Sequence, residues 1–195
     1  VTETERDADS ALARRAAEGD ERAFAELVHR HKEPLYRLLR RYTGNPDDAY
    51  EALQEAFIAA WGALGRYDPN RSFLAWLRAI AINKARDRGR RAAFRRLLFG
   101  SKSLEESGAL AELDPTPPAD ERLIEQQDMV RLDRAVAGLP APLKEAIVLT
   151  AFEGLSQQEA GNILRVSAKA IETRAFRARR ILAATLDPDL KPGRR

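Results

Sequence analysis

The residues best placed to do chemistry are Lys169, Glu172, Thr173, Phe176, Arg177 and Arg180, which recur at spacings of three and four. Such spacing gathers them on the outer face of one helix. The chemistry would be recognition of base edges in a DNA major groove. There a glutamate accepts from a cytosine amino group, an arginine pairs with guanine, and a threonine or phenylalanine meets a thymine methyl. From Arg165 to Arg180 there are six basic residues and one acidic, so the segment is close to +5 while the whole chain is only +3. Arginines beyond those that read bases can hold phosphates.

The elements that must position this face are legible beside it. Ile171, Ala175, Ala178 and Leu182 form the opposite, apolar stripe of the same helix, and Ser167 stands where a cap belongs. Upstream, Gly154 breaks the chain, and Ser156 with Glu159 has the spacing of a capping box. Ala160, Ile163 and Leu164 are apolar, and Gly161 lies where two crossing helices need a residue without bulk. Two short helices with a tight turn and a basic outer face predict a DNA-binding helix-turn-helix. The competing reading is a solvated arginine-rich surface helix, and the paired capping and stripe patterns favour DNA.

Composition removes other classes. The 195 residues contain no cysteine, which excludes a disulfide frame, a thiolate zinc site and a cysteine nucleophile. His29 and His31 are about 200 degrees apart on a helix and fit no metal spacing, so both read as solvated or half-buried. Ser156 with Glu159 and Asp47 with Asp48 are better explained as helix caps and first-turn acids than as catalytic pairs. No catalytic residue, metal or cofactor is expected. The acidic, polar N-terminus and the lack of a long apolar run predict a cytoplasmic protein with no membrane insertion.

The periodicity is helical throughout, predicting an all-α fold of two small domains, at 10–98 and 122–187, joined by a flexible acidic linker at 99–121. A helix pair from Glu21 to Tyr42 would bury Phe24, Leu27, Val28, Leu35, Leu38 and Leu39, with Pro34 kinking or interrupting it. Asn45, Pro46, Asp47 and Asp48 mark the start of the next helix. Another follows Ser72, with Phe73, Leu77, Ile80, Ala81 and the stem of Lys84 on one face. Arg86 to Arg96 holds six arginines and one aspartate, a second block near +5. The sign then reverses, with six acids against one lysine between Ser101 and Glu121. That stretch is expected to lie near the basic blocks and screen them. Leu139-Pro140-Ala141-Pro142 breaks the second domain before a helix from Leu143 to Phe152.

Three stretches carry a family resemblance. Asp48 to Trp61 (DAYEALQEAFIAAW), Gly65 to Leu77 (GRYDPNRSFLAWL) and the following IAINKARDRGRR resemble regions 2.2 to 2.4 of a bacterial sigma factor of the sigma-70 family. The segment from Leu139 to Leu182 resembles region 4 of the same family, and the reduced two-region plan is that of the extracytoplasmic-function (ECF) group. The resemblance implies a subunit that recruits core RNA polymerase to promoter DNA and helps melt it, held inactive by an anti-sigma factor. It implies docking on the clamp helices of the largest polymerase subunit through Asp48, Glu51, Leu53, Gln54, Glu55 and Phe57, and a contact with the beta-subunit flap. For Leu53 and Phe57 the alternative is membership of the internal core.

The minus-10 element would be read as separated strand by Arg66, Tyr67, Asn70, Arg71, Ser72, Trp76 and Asn83, with Arg86, Arg88, Arg90 and Arg91 tracking phosphates. For Trp76 closure of the domain core is the stronger reading. The minus-35 element would be read as duplex by Arg165, Lys169, Glu172, Thr173, Phe176, Arg177 and Arg180. Two positions depart from the common family pattern. Glu172 stands where many relatives have arginine, and Arg165 stands where the turn often has glycine, implying a slightly different turn geometry. The rival reading is a regulator with a C-terminal helix-turn-helix that binds duplex DNA without joining polymerase.

Overall fold

A computed structural model describes residues 3–99 and 121–186, and every regular element among them is helical. The helices are α1 (Glu3–Ala17), α2 (Glu21–Thr43), α3 (Pro46–Ala63), α4 (Phe73–Phe99), α5 (Glu121–Ala137), α6 (Ala141–Ile147), α7 (Gln157–Leu164) and α8 (Ala168–Leu186). A 3₁₀ turn, Leu64–Arg66, follows α3, and α6 runs on as a π-helical turn, Val148–Phe152. The acidic stretch expected to link the domains lies outside the described residues.

Local chemistry sets the boundaries of the first bundle. The Asp20 carboxylate accepts from the Ala23 amide at 3.1 Å and opens α2, and Gly44 closes it in the left-handed conformation at φ 75°. Asn45 Oδ1 then accepts from the amides of Asp47 and Asp48 at 2.8 and 3.1 Å, with Pro46 in the first helical turn, so only Gly44 and Asn45 separate the two helices. The expected interruption at Pro34 does not occur: α2 is one helix through it. Proline removes a backbone donor there, and burial of Leu35, Leu38 and Leu39 in the next turn and a half offsets the loss.

Helix α3 turns Ala49, Ala52, Ala56 and Ala60 inward, all fully buried, and this stripe lets it pack closely between α2 and α4. Helix α1 covers the other side of α2. His31 is buried there, with Nε2 2.8 Å from Asp9 Oδ2 and its ring 5.4 Å from that of Phe73, while His29 is exposed. The expectation of two solvated or half-buried histidines therefore fails for His31, because α1 closes over it. Burial pushes the His31 pKa below its ordinary value, and the Asp9 charge opposes that shift without overcoming it.

In the second unit, α5, α6 and α7 pack around α8. Helix α6 begins two residues earlier than the sequence predicts, at Ala141, because Pro142 falls in the first turn, where its missing N–H costs nothing. The two units also touch directly. Helix α5 packs on α2, and α7 on α4.

Candidate nucleic-acid interface

Helix α7 is fixed by a complete capping box. The Glu159 amide donates to Ser156 Oγ at 3.2 Å, and the Ser156 amide donates to Glu159 Oε2 at 2.9 Å. The turn that follows is tight enough that a Cβ on Gly161 would lie 2.7 Å from the Val166 carbonyl oxygen. Bulk is excluded there by the backbone of the turn, closer to α7 than a helix crossing would be. Arg165 adopts φ 57°, ψ 45°, the left-handed conformation that glycine takes without strain. Arg165 holds that conformation with a side chain attached, so it bears a strain that glycine would not.

Ser167 Oγ accepts from the Ala170 amide at 3.1 Å and starts α8. Ile171, Ala175, Ala178 and Leu182 are all buried, which leaves Lys169, Glu172, Thr173, Phe176, Arg177 and Arg180 exposed on the other side. The Phe176 side is 58% exposed, an apolar surface that nothing in the fold requires. Lys169 Nζ lies 2.7 Å from Glu172 Oε2, and Thr173 Oγ1 donates to the Lys169 carbonyl at 2.9 Å, so these three side chains are held in fixed relation. Arg165, Arg174, Arg177, Arg179 and Arg180 pair with no carboxylate among the described residues. All but the half-buried Arg174 are exposed, and such cations suit a polyanion.

A second constellation lies on α4 and the loop before it. The rings of Tyr67, Phe73 and Trp76 form one cluster with centroids 5.3 to 5.5 Å apart. Tyr67 donates its hydroxyl to the Arg71 carbonyl at 2.6 Å, and Ser10 Oγ of α1 donates to the Pro69 carbonyl at 3.1 Å. The loop 66–72 is thereby tied at both edges, a role for Ser10 that the sequence did not disclose. Asp68 Oδ1 accepts from the Asn70 amide at 3.0 Å and lies 3.4 Å from Arg71 through its other oxygen. Arg66, Asn70 and Arg71 are exposed, and Ser72 caps α4 through the Ala75 amide at 3.3 Å. Trp76 is half-buried: it walls the aromatic cluster and keeps an accessible edge. Asn83 is exposed about 10 Å further along α4.

The arginines of α4 are less available than their number suggests. Arg88 reaches back to α3 and pairs with Asp48 at 3.3 Å, Glu55 at 2.9 Å, and Glu51. It neutralises an acidic cluster instead of tracking phosphate. Arg90 pairs with Asp87 one turn away. Arg86 donates to Glu145 Oε1 at 2.8 Å, and this hydrogen bond raises the Arg86 pKa further. Arg91 and Arg95 line a cavity of about 390 Å³ with Arg88, Lys144 and Tyr42, between α4 and the second unit.

On α3 the acids Asp48 and Glu51 are exposed and Glu55 is half-exposed, whereas Leu53 and Phe57 turn into the core. Phe57 packs edge-on against Phe24, so the internal-core alternative describes both apolar side chains. The outward apolar residues of α3 are Tyr50, Ile58 and Trp61, with Ile58 73% exposed and Gln54 between Tyr50 and Ile58 on the same stripe. Sequence reasoning passed over these three. The inward alanine stripe was the available signal, since it puts Ile58 on the far side of the helix.

Residues 27–95 match the family model for sigma-70 region 2, and residues 129–182 match the model for sigma-70 region 4. The chain is 40% identical over 186 residues to the RNA polymerase sigma factor CnrH of Cupriavidus metallidurans, covering 94% of this chain and 96% of that one. It is 31% identical over 185 residues to the ECF RNA polymerase sigma-E factor of Escherichia coli, covering 92% and 95%. Among solved structures it is similar to CnrH in complex with the cytosolic domain of CnrY, at a TM-score of 0.67 and 37% identity over 93% of this chain and 99% of that one. The fold also matches RpoE in complex with the anti-sigma factor NepR from Bartonella quintana, at a TM-score of 0.63 and 23% identity over 85% and 98%.

Proposed function

We propose how promoter recognition is divided within this chain, which belongs to the ECF group of the sigma-70 family of bacterial RNA polymerase sigma factors. Helix α8 reads the minus-35 duplex. Lys169, Glu172, Thr173, Phe176 and Arg177 face base edges, while Arg165, Arg180 and the neighbouring arginines hold phosphates. The observation that carries this reading is the clean partition of α8, whose apolar stripe is wholly buried and whose outer arginines pair with no carboxylate among the described residues.

The tied loop 66–72 and the Tyr67–Phe73–Trp76 cluster receive the separated minus-10 strand. Tyr67 and Trp76 supply stacking, and Asn83 an amide that pairs with a base edge. Extrusion of a base costs a few kcal/mol, and a loop held by Ser10 and Tyr67 meets that cost without ordering itself on binding. Arg66, Arg71, Arg86 and Arg90 serve the backbone.

Core polymerase docks on the outer face of α3, where Asp48, Glu51, Gln54 and Glu55 flank Tyr50 and Ile58. Leu53 and Phe57 support that face from beneath. The clamp helices of the largest subunit and the beta-subunit flap are the polymerase elements implied by the family resemblance. The chain acts in the cytoplasm, where polymerase works, as a regulator and not as an enzyme; among the described residues no helix is long and apolar enough to cross a membrane. An anti-sigma factor controls it, a reading supported by the complex of CnrH with the cytosolic domain of CnrY.

The test is run-off transcription from a pool of genomic promoter fragments, with core RNA polymerase and this protein separately and together. Discrete starts only when both are present support the assignment. Tight duplex binding by the protein alone, with no initiation by core, would favour a regulator and withdraw the roles of Asn83 and α3.

A further inference from the structure

The cavity of about 390 Å³ beside α4 has a volume typical of small-ligand sites. Arg91, Arg95 and Lys144 line it, and none of the three pairs with a carboxylate among the described residues. Arg88 lines it as well, but its charge is already met by Asp48, Glu51 and Glu55. Asp48, the carboxylate of the lining, is therefore engaged, and the other three cations stand uncompensated around one space.

Like charges around a partly enclosed space repel one another, and water screens them less there than on an open surface. Burial pushes the Lys144 pKa below its ordinary value, and the neighbouring Glu145 charge opposes the shift without overcoming it. Glu145 is itself held by Arg86 and Tyr42. Lys144 Nζ stands 4.9 Å from the Tyr42 ring centroid, a weaker support for a cation than an anion would be. Arg88 Nε is buried with no hydrogen-bond partner among the described residues. The shape adds a length to this demand for an anion. Arg88, Arg91 and Arg95 are spaced three and four apart, a row about 10 Å long on α4, and Lys144 lies across from it on α6. Gly89 sits within the row, inside a helix where alanine would be favoured by about 1 kcal/mol, and a Cβ there would meet nothing within 4 Å. The space beside the row is thus open.

We propose that this cavity binds a short polyphosphate chain, free or carried by a nucleotide, held by Arg91 and Arg95 of α4 and Lys144 of α6. A single phosphate cannot meet cations spread over about 10 Å, whereas two or three linked phosphates bring an anionic oxygen to each. The guanidinium groups take phosphate oxygens in pairs, and Lys144 adds a compact charge from the other side. Neither α8, the loop 66–72 nor Asn83 lines the cavity, so the site stands apart from both DNA-reading surfaces and does not rest on the promoter assignment.

The test is titration calorimetry of the full chain with inorganic triphosphate, ATP and AMP in low salt. The parent should take one triphosphate per chain and bind it about 10-fold or more tightly than AMP. Two variants remove the site in different ways. G89L fills the cavity while keeping every charge, and R91Q/R95Q removes two cations at exposed positions. Each should weaken triphosphate binding about 10-fold, equivalent to about 1.4 kcal/mol, with the helical circular dichroism of the parent. Should G89L lose that signal, R91Q/R95Q decides alone. ATP bound as tightly as triphosphate supports a nucleotide as the source, and ATP bound far more weakly supports the inorganic chain. No saturable binding, equal affinity for AMP, or unchanged triphosphate affinity in R91Q/R95Q or in folded G89L overturns the site, the last by showing diffuse attraction to surface arginines. If G89L weakens a single-stranded oligonucleotide by the same factor, the cavity belongs to the DNA path and the separate site is overturned.

Discussion

Gly161→Ala sets two effects of opposite sign against each other. Alanine is favoured over glycine inside a helix by about 1 kcal/mol, so on propensity alone the change should stabilise α7. The new methyl would stand 2.7 Å from the Val166 carbonyl oxygen and 3.5 Å from the Ala168 nitrogen. An ordinary carbon-to-oxygen contact is about 3.3 Å or more, so the turn must open by roughly 0.6 Å. It cannot open freely, because the Val166 amide donates to the Gly161 carbonyl at 3.0 Å and Arg165 beside it already holds a left-handed conformation. Overpacking against backbone of this kind costs about 1–3 kcal/mol. The sum is a net loss of up to about 2 kcal/mol, as much as several degrees in Tm for a small domain. Thermal unfolding by circular dichroism measures it, and duplex binding by the isolated variant should weaken as α8 loses its fixed angle to α7. A variant stabilised by the full propensity gain of about 1 kcal/mol refutes the reasoning.

Arg165→Gly should stabilise the same turn by about 1 kcal/mol, read as a raised urea midpoint with unchanged slope, because glycine relieves the left-handed strain. Glu172→Gln should leave stability within about 0.5 kcal/mol and change the preferred base at one minus-35 position by about 1–3 kcal/mol, read by binding selection from randomised duplex. Ile58→Asp should weaken association with core polymerase at least 10-fold in a competition assay while leaving Tm unchanged, since the side chain is outward. Stability should fall as pH drops below about 6.5. His31 keeps a lowered pKa in the fold, so the unfolded chain takes up the proton first; the loss begins at the unfolded pKa and is complete below the folded one. Urea unfolding of the parent and His31→Gln across that window isolates this contribution.

What the sequence disclosed well was local. The Ser156–Glu159 box, the Asn45 cap and the buried stripe of α8 each depend on residues within a few positions of one another, and each is found as the spacing predicts. Helix α3 was harder because it is apolar on two faces. The alanine stripe at 49, 52, 56 and 60 is the one sequence signal that sets the inward Leu53 and Phe57 apart from the outward Tyr50 and Ile58. Arg88 looked like one more phosphate contact in a basic run, yet its partners Asp48, Glu51 and Glu55 lie more than 30 positions away. Arg86 shares that history, with its carboxylate, Glu145, in the other unit. Pro34 was misleading for the opposite reason, since a local penalty was outweighed by tertiary burial on either side of it.

The partition of α8 has a consequence for how such proteins diversify. Four buried positions answer to the fold, and the outward ones are those we propose to answer to the promoter, with almost no residue serving both. After gene duplication, two copies can therefore drift to different target sets by exchanging side chains such as Glu172 and Thr173, each step leaving a folded, polymerase-competent protein. New regulons become accessible along a path with no unstable intermediates.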